Sequence, residues 1–257
     1  MQIGFEQIAL LCVAAFAAGF VDAIVGGGGL IQTPATLALL RSFPVVNAIS
    51  STKIPSFSGT LFAARQYIKK VRIDKSLAAV MCTVAFFASF GGSAVLTRVN
   101  NAFMKPFLLV VLILVAIYTY AKKDFGQHEV REHSRVQQLA YGVALSLVIG
   151  FYDGFVGPGA GSFLILGFIS LLGFDFLHAS ANAKLVNLAT NLGSILLFSM
   201  KGKIIWVATL PMAACNALGG IIGARLAIAK GNQFIRIFFL LIVVATLLRF
   251  AWEVVKG

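Results

Sequence analysis

Four ionisable residues lie inside otherwise apolar stretches, as two matched sets: Asp22 with Lys53, and Asp153 with Lys184. A charge at the centre of a bilayer costs about 2.5–3.5 kcal/mol even on the lenient insertion scale, so such residues face a bundle interior and mark function. Each aspartate stands four residues before a glycine-rich break, at 26–29 and at 157–161. Each lysine lies about 10–13 Å into the next long stretch, near the bilayer midplane. The segment after each break begins as a short helix, whose N-terminus carries a positive dipole end and unpaired N–H groups. Two ammonium groups and two helix N-termini make an anion site. Glycine at the breaks lets the backbone come close to a ligand, which singles out Gly27, Gly28, Gly159 and Ala160. Gln32, Ser51 and Ser56 in the first half, and Asn182, Asn187 and Asn191 in the second, add polar lining. The aspartates cannot hold an anion directly; they can balance the lysines in the empty site or take up a proton. The competing reading is structural: Asp22–Lys53 and Asp153–Lys184 as buried ion pairs that lock helices together.

The elements that must position these residues repeat. Residues 19–28, GFVDAIVGGG, match residues 150–159, GFYDGFVGPG, at an offset of 131. Without a gap, the same offset brings Phe43 onto Phe174, Lys53 onto Lys184, Leu61 onto Leu192 and Lys70 onto Lys201. It also sets Ser51, Ser56 and Thr60 against Asn182, Asn187 and Asn191. Such a match signals duplication. The first membrane repeat spans 1–121, a polar linker 122–138, and the second repeat 139–257. Apolar stretches at 8–25, 45–64, 76–97, 103–121, 139–156, 177–200, 204–224 and 233–252 approach the length of a membrane helix, about 20 residues. The pieces at 30–40 and 162–172 are about half that length, so each half reads as a glycine-broken helical hairpin followed by three transmembrane helices. A hairpin that enters and leaves on one side, plus three spans, makes an odd number of crossings. The two repeats are then inverted, and paired broken helices in an inverted repeat point to a transporter's binding site; a broken segment that crosses once as a single kinked span makes the repeats parallel and the termini cytoplasmic instead. The fold class is an all-α polytopic membrane protein.

Composition agrees. Of 257 residues 59% are hydrophobic and 12% charged, with a mean hydropathy of +0.93. A soluble domain carries about twice that charged fraction. The net charge of +12 gathers in short loops at 65–75, 122–138 and 225–236, as the positive-inside rule expects of a cytoplasmic face, and not as a nucleic-acid surface. Cys12, Cys82 and Cys215 stand alone in apolar stretches and read as small hydrophobes. His128, His133 and His178 do not cluster, so neither a metal site nor a cofactor is expected. Residues 1–7 include Glu6 and no basic residue, unlike a cleaved signal peptide.

GFVDAIVGGGGLIQTP with the lysine of STKIPS, GFYDGFVGPGAGSF with ANAKLVNLATN, and GGIIGARLAIAKG resemble the signature stretches of the TauE/SafE family. The resemblance covers nearly the whole chain and is greatest to the YfcA-like branch. It implies a bacterial inner-membrane exporter or permease for sulfite, sulfoacetate or related sulfonates. The residues alone specify an anion, not sulfur. The reading is a secondary transporter working by alternating access around a midplane lysine pair, since no phosphate loop for ATP is present. The alternatives are an anion channel and a non-transport assembly factor with structural Asp–Lys pairs. Catalysis lacks a nucleophile–base pair, so no enzyme is expected. The expected partners are a small anion, the lipid bilayer and a second copy of the chain.

Overall fold

The computed structural model describes residues 3–100, 102–104, 107, 110 and 134–256, with the backbone alone from 232 onward. Most of the span expected at 103–121, most of the linker, His128 and His133 lie outside the described residues. Among the described residues eight helical elements follow in order: α1 Phe5–Val25, α2 Gly29–Leu39, α3 Val45–Ile68, α4 Lys75–Leu96, α5 Arg135–Phe155, α6 Ala160–Leu172, α7 Phe176–Met200 and α8 Trp206–Lys256. Five of them, α1, α4, α5, α7 and α8 up to Gly231, are long and apolar enough to cross a membrane. α3 has the length, but Ser50, Ser51, Thr52, Lys53, Ser56 and Thr60 make it more polar, and it is enclosed by its neighbours.

The starts of α4, α5 and α7 are set by side-chain caps that satisfy orphan N–H groups. Asp74 accepts from Leu77 N at 3.0 Å, and Asp175 accepts from Leu177 N and His178 N at 2.8 and 2.9 Å. Ser134 and Gln137 form a reciprocal capping box, so α5 begins within the stretch expected as linker. Pro55 inside α3 cannot donate to Ser51 O, and Thr209 of α8 donates to that carbonyl instead, at 3.3 Å. The loop expected at 225–236 is helix on both sides of one non-helical residue, Gly231 at φ 72° and ψ −168°. Two helices meet there at a kink, so the break expected between the spans 204–224 and 233–252 is present but narrowed to one residue.

Each broken segment doubles back. Gln7 Nε2, in the first turn of α1, donates to Leu39 O at the end of α2, at 3.1 Å. Along α5 and α6, Tyr152 meets Phe163 with ring centres 5.7 Å apart, and Gly167 packs against Leu145, an antiparallel pairing. The mouth of the first hairpin packs with the start of α8 through Leu11, Ala15, Leu40, Ala208 and Met212. The start of α3 is there too: Ser50 Oγ donates to Lys203 O at 2.7 Å. The start of α5 instead meets the start of α4, where Arg135 pairs with Asp74.

The halves exchange partners. α1 packs on α8 and α5 on α4; α3 packs on α8 and α7 on α4; α3 and α7 meet each other. Glycines allow the closest crossings. A Cβ on Gly223 would lie 2.4 Å from Phe20 O, and one on Gly92 2.1 Å from Phe151 O. Those two contacts are the same contact at an offset of 131.

Candidate functional site

The hairpin tips meet in the protein interior. Gly26 and Gly157, equivalent under the repeat, both take a left-handed backbone, with φ of 77° and 96°. Gly26 packs so tightly that a Cβ there would lie 2.3 Å from the carbonyl carbon of Gly161. Ser162 Oγ donates to Val25 O across the junction at 3.0 Å.

Both lysines reach these tips, each from its own half to the aspartate of the other. Lys53 Nζ donates to Asp153 Oδ1 at 2.8 Å and to Asp153 O. Lys184 Nζ donates to Asp22 Oδ2 at 3.1 Å and to Asp22 O. The pairing within each half, Asp22–Lys53 and Asp153–Lys184, is thus replaced by pairing between halves. The reason is geometric: α3 crosses onto α7, so its lysine reaches the end of α5. There each ammonium meets the negative end of a helix dipole as well as a carboxylate. Hydroxyls complete both carboxylates: Thr190 Oγ1 donates to Asp153 Oδ2, and Thr60 Oγ1 to Asp22 Oδ2 at 3.3 Å. A buried charge is tolerated only with such partners. Lys53 is 3% exposed and Lys184 0%.

A cavity of about 30 Å³ lies between the tips, room for a water molecule or two. Asp22, Gln32, Lys53, Ser56, Asp153, Asn187 and Asn191 line it, as do Gly159 and Ala160. The N-termini of α2 and α6 reach it through Gly29, Ala160 and Gly161. Five residues singled out from sequence are elsewhere. Lys184 is sealed behind Asp22. Gly28 backs onto Ala18 O, where a Cβ would sit 2.5 Å away, and Gly27 lies beside Ser162. Ser51 Oγ ties helices, accepting from Ile205 N at 2.9 Å and donating to Asn47 O at 2.7 Å. Asn182 spends its amide on His178 O at 2.9 Å.

Sequence reasoning missed Asn216 of α8, whose Nδ2 donates to Gln32 Oε1 at 2.9 Å. It occupies a slot made by Gly19 and Gly59. With its oxygen so held, Gln32 leaves Nε2 buried and without a partner at the cavity wall. A polar residue in the apolar stretch 204–224 was the only signal, and its repeat equivalent is Ala85, so the duplication did not flag it. Asn191 Nδ2 donates to Asn187 O at 2.8 Å, on the side of α7 that faces the cavity. Among the described residues no three His, Cys, Asp or Glu side chains gather as metal ligands would.

Comparison with known proteins follows the same pattern over the whole chain. The profile of the family described as "Sulfite exporter TauE/SafE" matches residues 11–250. A "Probable membrane transporter protein ORF9" from a Sinorhizobium species is 34% identical over 96% of this chain and 94% of its own. A "Probable membrane transporter protein" from Haemophilus influenzae is 33% identical over 92% of this chain and 91% of its own. The Escherichia coli "Probable membrane transporter protein YfcA" is 33% identical over 89% and 84%. No solved structure matches. A family match along nearly the full length, on an all-helical chain with five membrane-length helices, fixes the assignment: this is a multi-pass membrane protein that belongs to the sulfite exporter TauE/SafE family.

Proposed function

We propose that this chain is a secondary carrier of a small anion across the bacterial inner membrane, with a sulfur oxyanion such as sulfite or an organosulfonate as substrate. The family description names sulfite export, and the relatives are called membrane transporters. The observation that carries the reading is the pair of exchanged Lys–Asp contacts around one small polar cavity.

Two ammonium groups and two carboxylates sum to zero charge, so the empty centre is neutral and stable in a low dielectric. A monoanion entering alone would leave an uncompensated charge. A proton taken up by Asp153 restores neutrality and releases Lys53 to the anion. Gln32 Nε2, Ser56 Oγ, Asn187 Nδ2 and the backbone N–H of Gly159 are the further donors; Ala160 N–H is held by Gly157 O and the Asn191 amide by Asn187. Asp22 and Lys184 form the matching pair, with Asp22 on the same cavity wall and Lys184 sealed behind it.

The halves act as inverted repeats. In support, the α1–α2 mouth lies with the start of α3, and the α5–α6 mouth with the start of α4, which follows the end of α3. Rocking one half against the other would open the cavity to alternate sides. A volume of about 30 Å³ weighs against a standing pore. The test is flux of radiolabelled sulfite, sulfoacetate and thiosulfate into proteoliposomes. Saturable, counterflow-competent uptake of one of them, lost in Lys53→Ala, supports the carrier; single-channel currents, or full flux in Lys53→Ala, contradict it.

A further inference from the structure

A second cavity, of about 680 Å³, lies far from the hairpin tips, beside the turn between α3 and α4. Ile68 of α3, Ala79 and Cys82 of α4 and Leu185 of α7 supply apolar wall, and Arg72 and Lys75 stand at its rim. Residues 65–75 hold five cations and one acid, Asp74. That acid is already engaged, capping Leu77 N and pairing with Arg135. Among the described residues neither Arg72 nor Lys75 has a carboxylate partner.

We propose that this groove binds an anionic phospholipid, with an acyl chain over Ala79 and Cys82 and the phosphate between Arg72 and Lys75. An apolar slot that ends in two cations without a carboxylate partner among the described residues, at the membrane boundary, matches that amphiphile and no neutral one. The duplication supplies an internal contrast. At the equivalent positions of the second half, Trp206 replaces Lys75 and Leu210 replaces Ala79. One cation and the small wall residue are both gone there, so the two residue types that the slot needs occur together only in the first half of the sequence.

The experiment measures the thermal unfolding midpoint of the purified protein in detergent, titrated with phosphatidylglycerol or phosphatidylcholine, and lipid retention by native mass spectrometry. Phosphatidylglycerol raises the midpoint and is retained; phosphatidylcholine is not. Arg72→Gln/Lys75→Gln weakens the apparent affinity about 30-fold, the effect of two near-surface cations. Ala79→Leu, which copies the second half, abolishes retention with the charges intact. The lipid-free midpoint of each variant, near wild type, separates lost binding from lost folding. Equal stabilisation by phosphatidylcholine or by a polyglutamate peptide overturns the proposal. So does phosphatidylglycerol binding that survives either variant. Neither readout involves transport, so the outcome is independent of the anion carried.

Discussion

Lys53 and Lys184 each complete the other half's helix end, which makes the two repeats mutually dependent at the level of single atoms. Removing one member of a buried pair strands a charge, a loss of about 3–5 kcal/mol, whereas removing both is far milder. Lys53→Met should therefore lower the unfolding midpoint sharply, and Lys53→Met/Asp153→Leu should recover most of the loss. No recovery would mean that Lys53 and Asp153 do not pair. Gln32 offers a different residue-scale test. Its Nε2 has no partner in the empty cavity, but its Oε1 accepts from Asn216 Nδ2, so Gln32→Leu should cost about 1–3 kcal/mol of stability through the stranded Asn216 amide. A hydrogen bond to a charged ligand is worth about 1.5–3 kcal/mol, so the half-saturating anion concentration should rise about 10–100-fold. An unchanged value would remove Gln32 from the site. The identities of the four charged residues were legible in the sequence because charge in an apolar stretch is rare. Their partners were not, because a repeat offset says which residues are equivalent and nothing about which copy each one faces. Ser51 and Asn182 looked like lining for the same reason that Ser56 and Asn187 did. A polar side chain on a membrane helix can equally be spent on a neighbouring backbone.

Adjacent glycines in α4 test the packing of whole elements. A Cβ on Gly91 meets nothing within 4 Å, whereas one on Gly92 would lie 2.1 Å from Phe151 O. Gly91→Ala should be neutral or stabilising by up to about 1 kcal/mol through backbone entropy. Gly92→Ala should push α5 from α4 and lower the midpoint by several degrees. Equal effects in thermal unfolding would contradict the α4–α5 crossing. The contact between the start of α4 and the start of α5 has a pH signature. The Arg135 guanidinium, and then the Leu77 N–H, hold the Asp74 carboxyl below the usual carboxylate range. The stabilisation it provides is present above an unfolded pKa of about 3.9 and is lost as pH falls through the lower folded value. Arg135→Gln should reduce that acid-side loss, and high salt should mimic the variant because the pair is exposed. The broken hairpins were legible from glycine spacing, since Gly26 and Gly157 both need positive φ. The break between the last two spans was legible but its narrowing to Gly231 was not, because polar residues at a membrane edge look alike in a loop and at a helix end.

At the scale of the molecule, one offset organises the packing: every main helix contact in one half has its counterpart in the other, with partners exchanged. The sequence could carry that symmetry but not its departures. Lys53 faces the cavity while Lys184 is sealed, a difference of conformation between equivalent residues and not of composition. In the proposed cycle a proton on Asp153 accompanies each monoanion, so a proton gradient drives the anion toward its alkaline side. The most direct measurement is sulfite accumulation in proteoliposomes under an imposed pH gradient, acid outside, for wild type and Asp153→Asn. The account predicts accumulation against a gradient in the wild type, and in Asp153→Asn counterflow exchange without any response to the pH gradient. Accumulation driven equally well by the pH gradient in Asp153→Asn would contradict it.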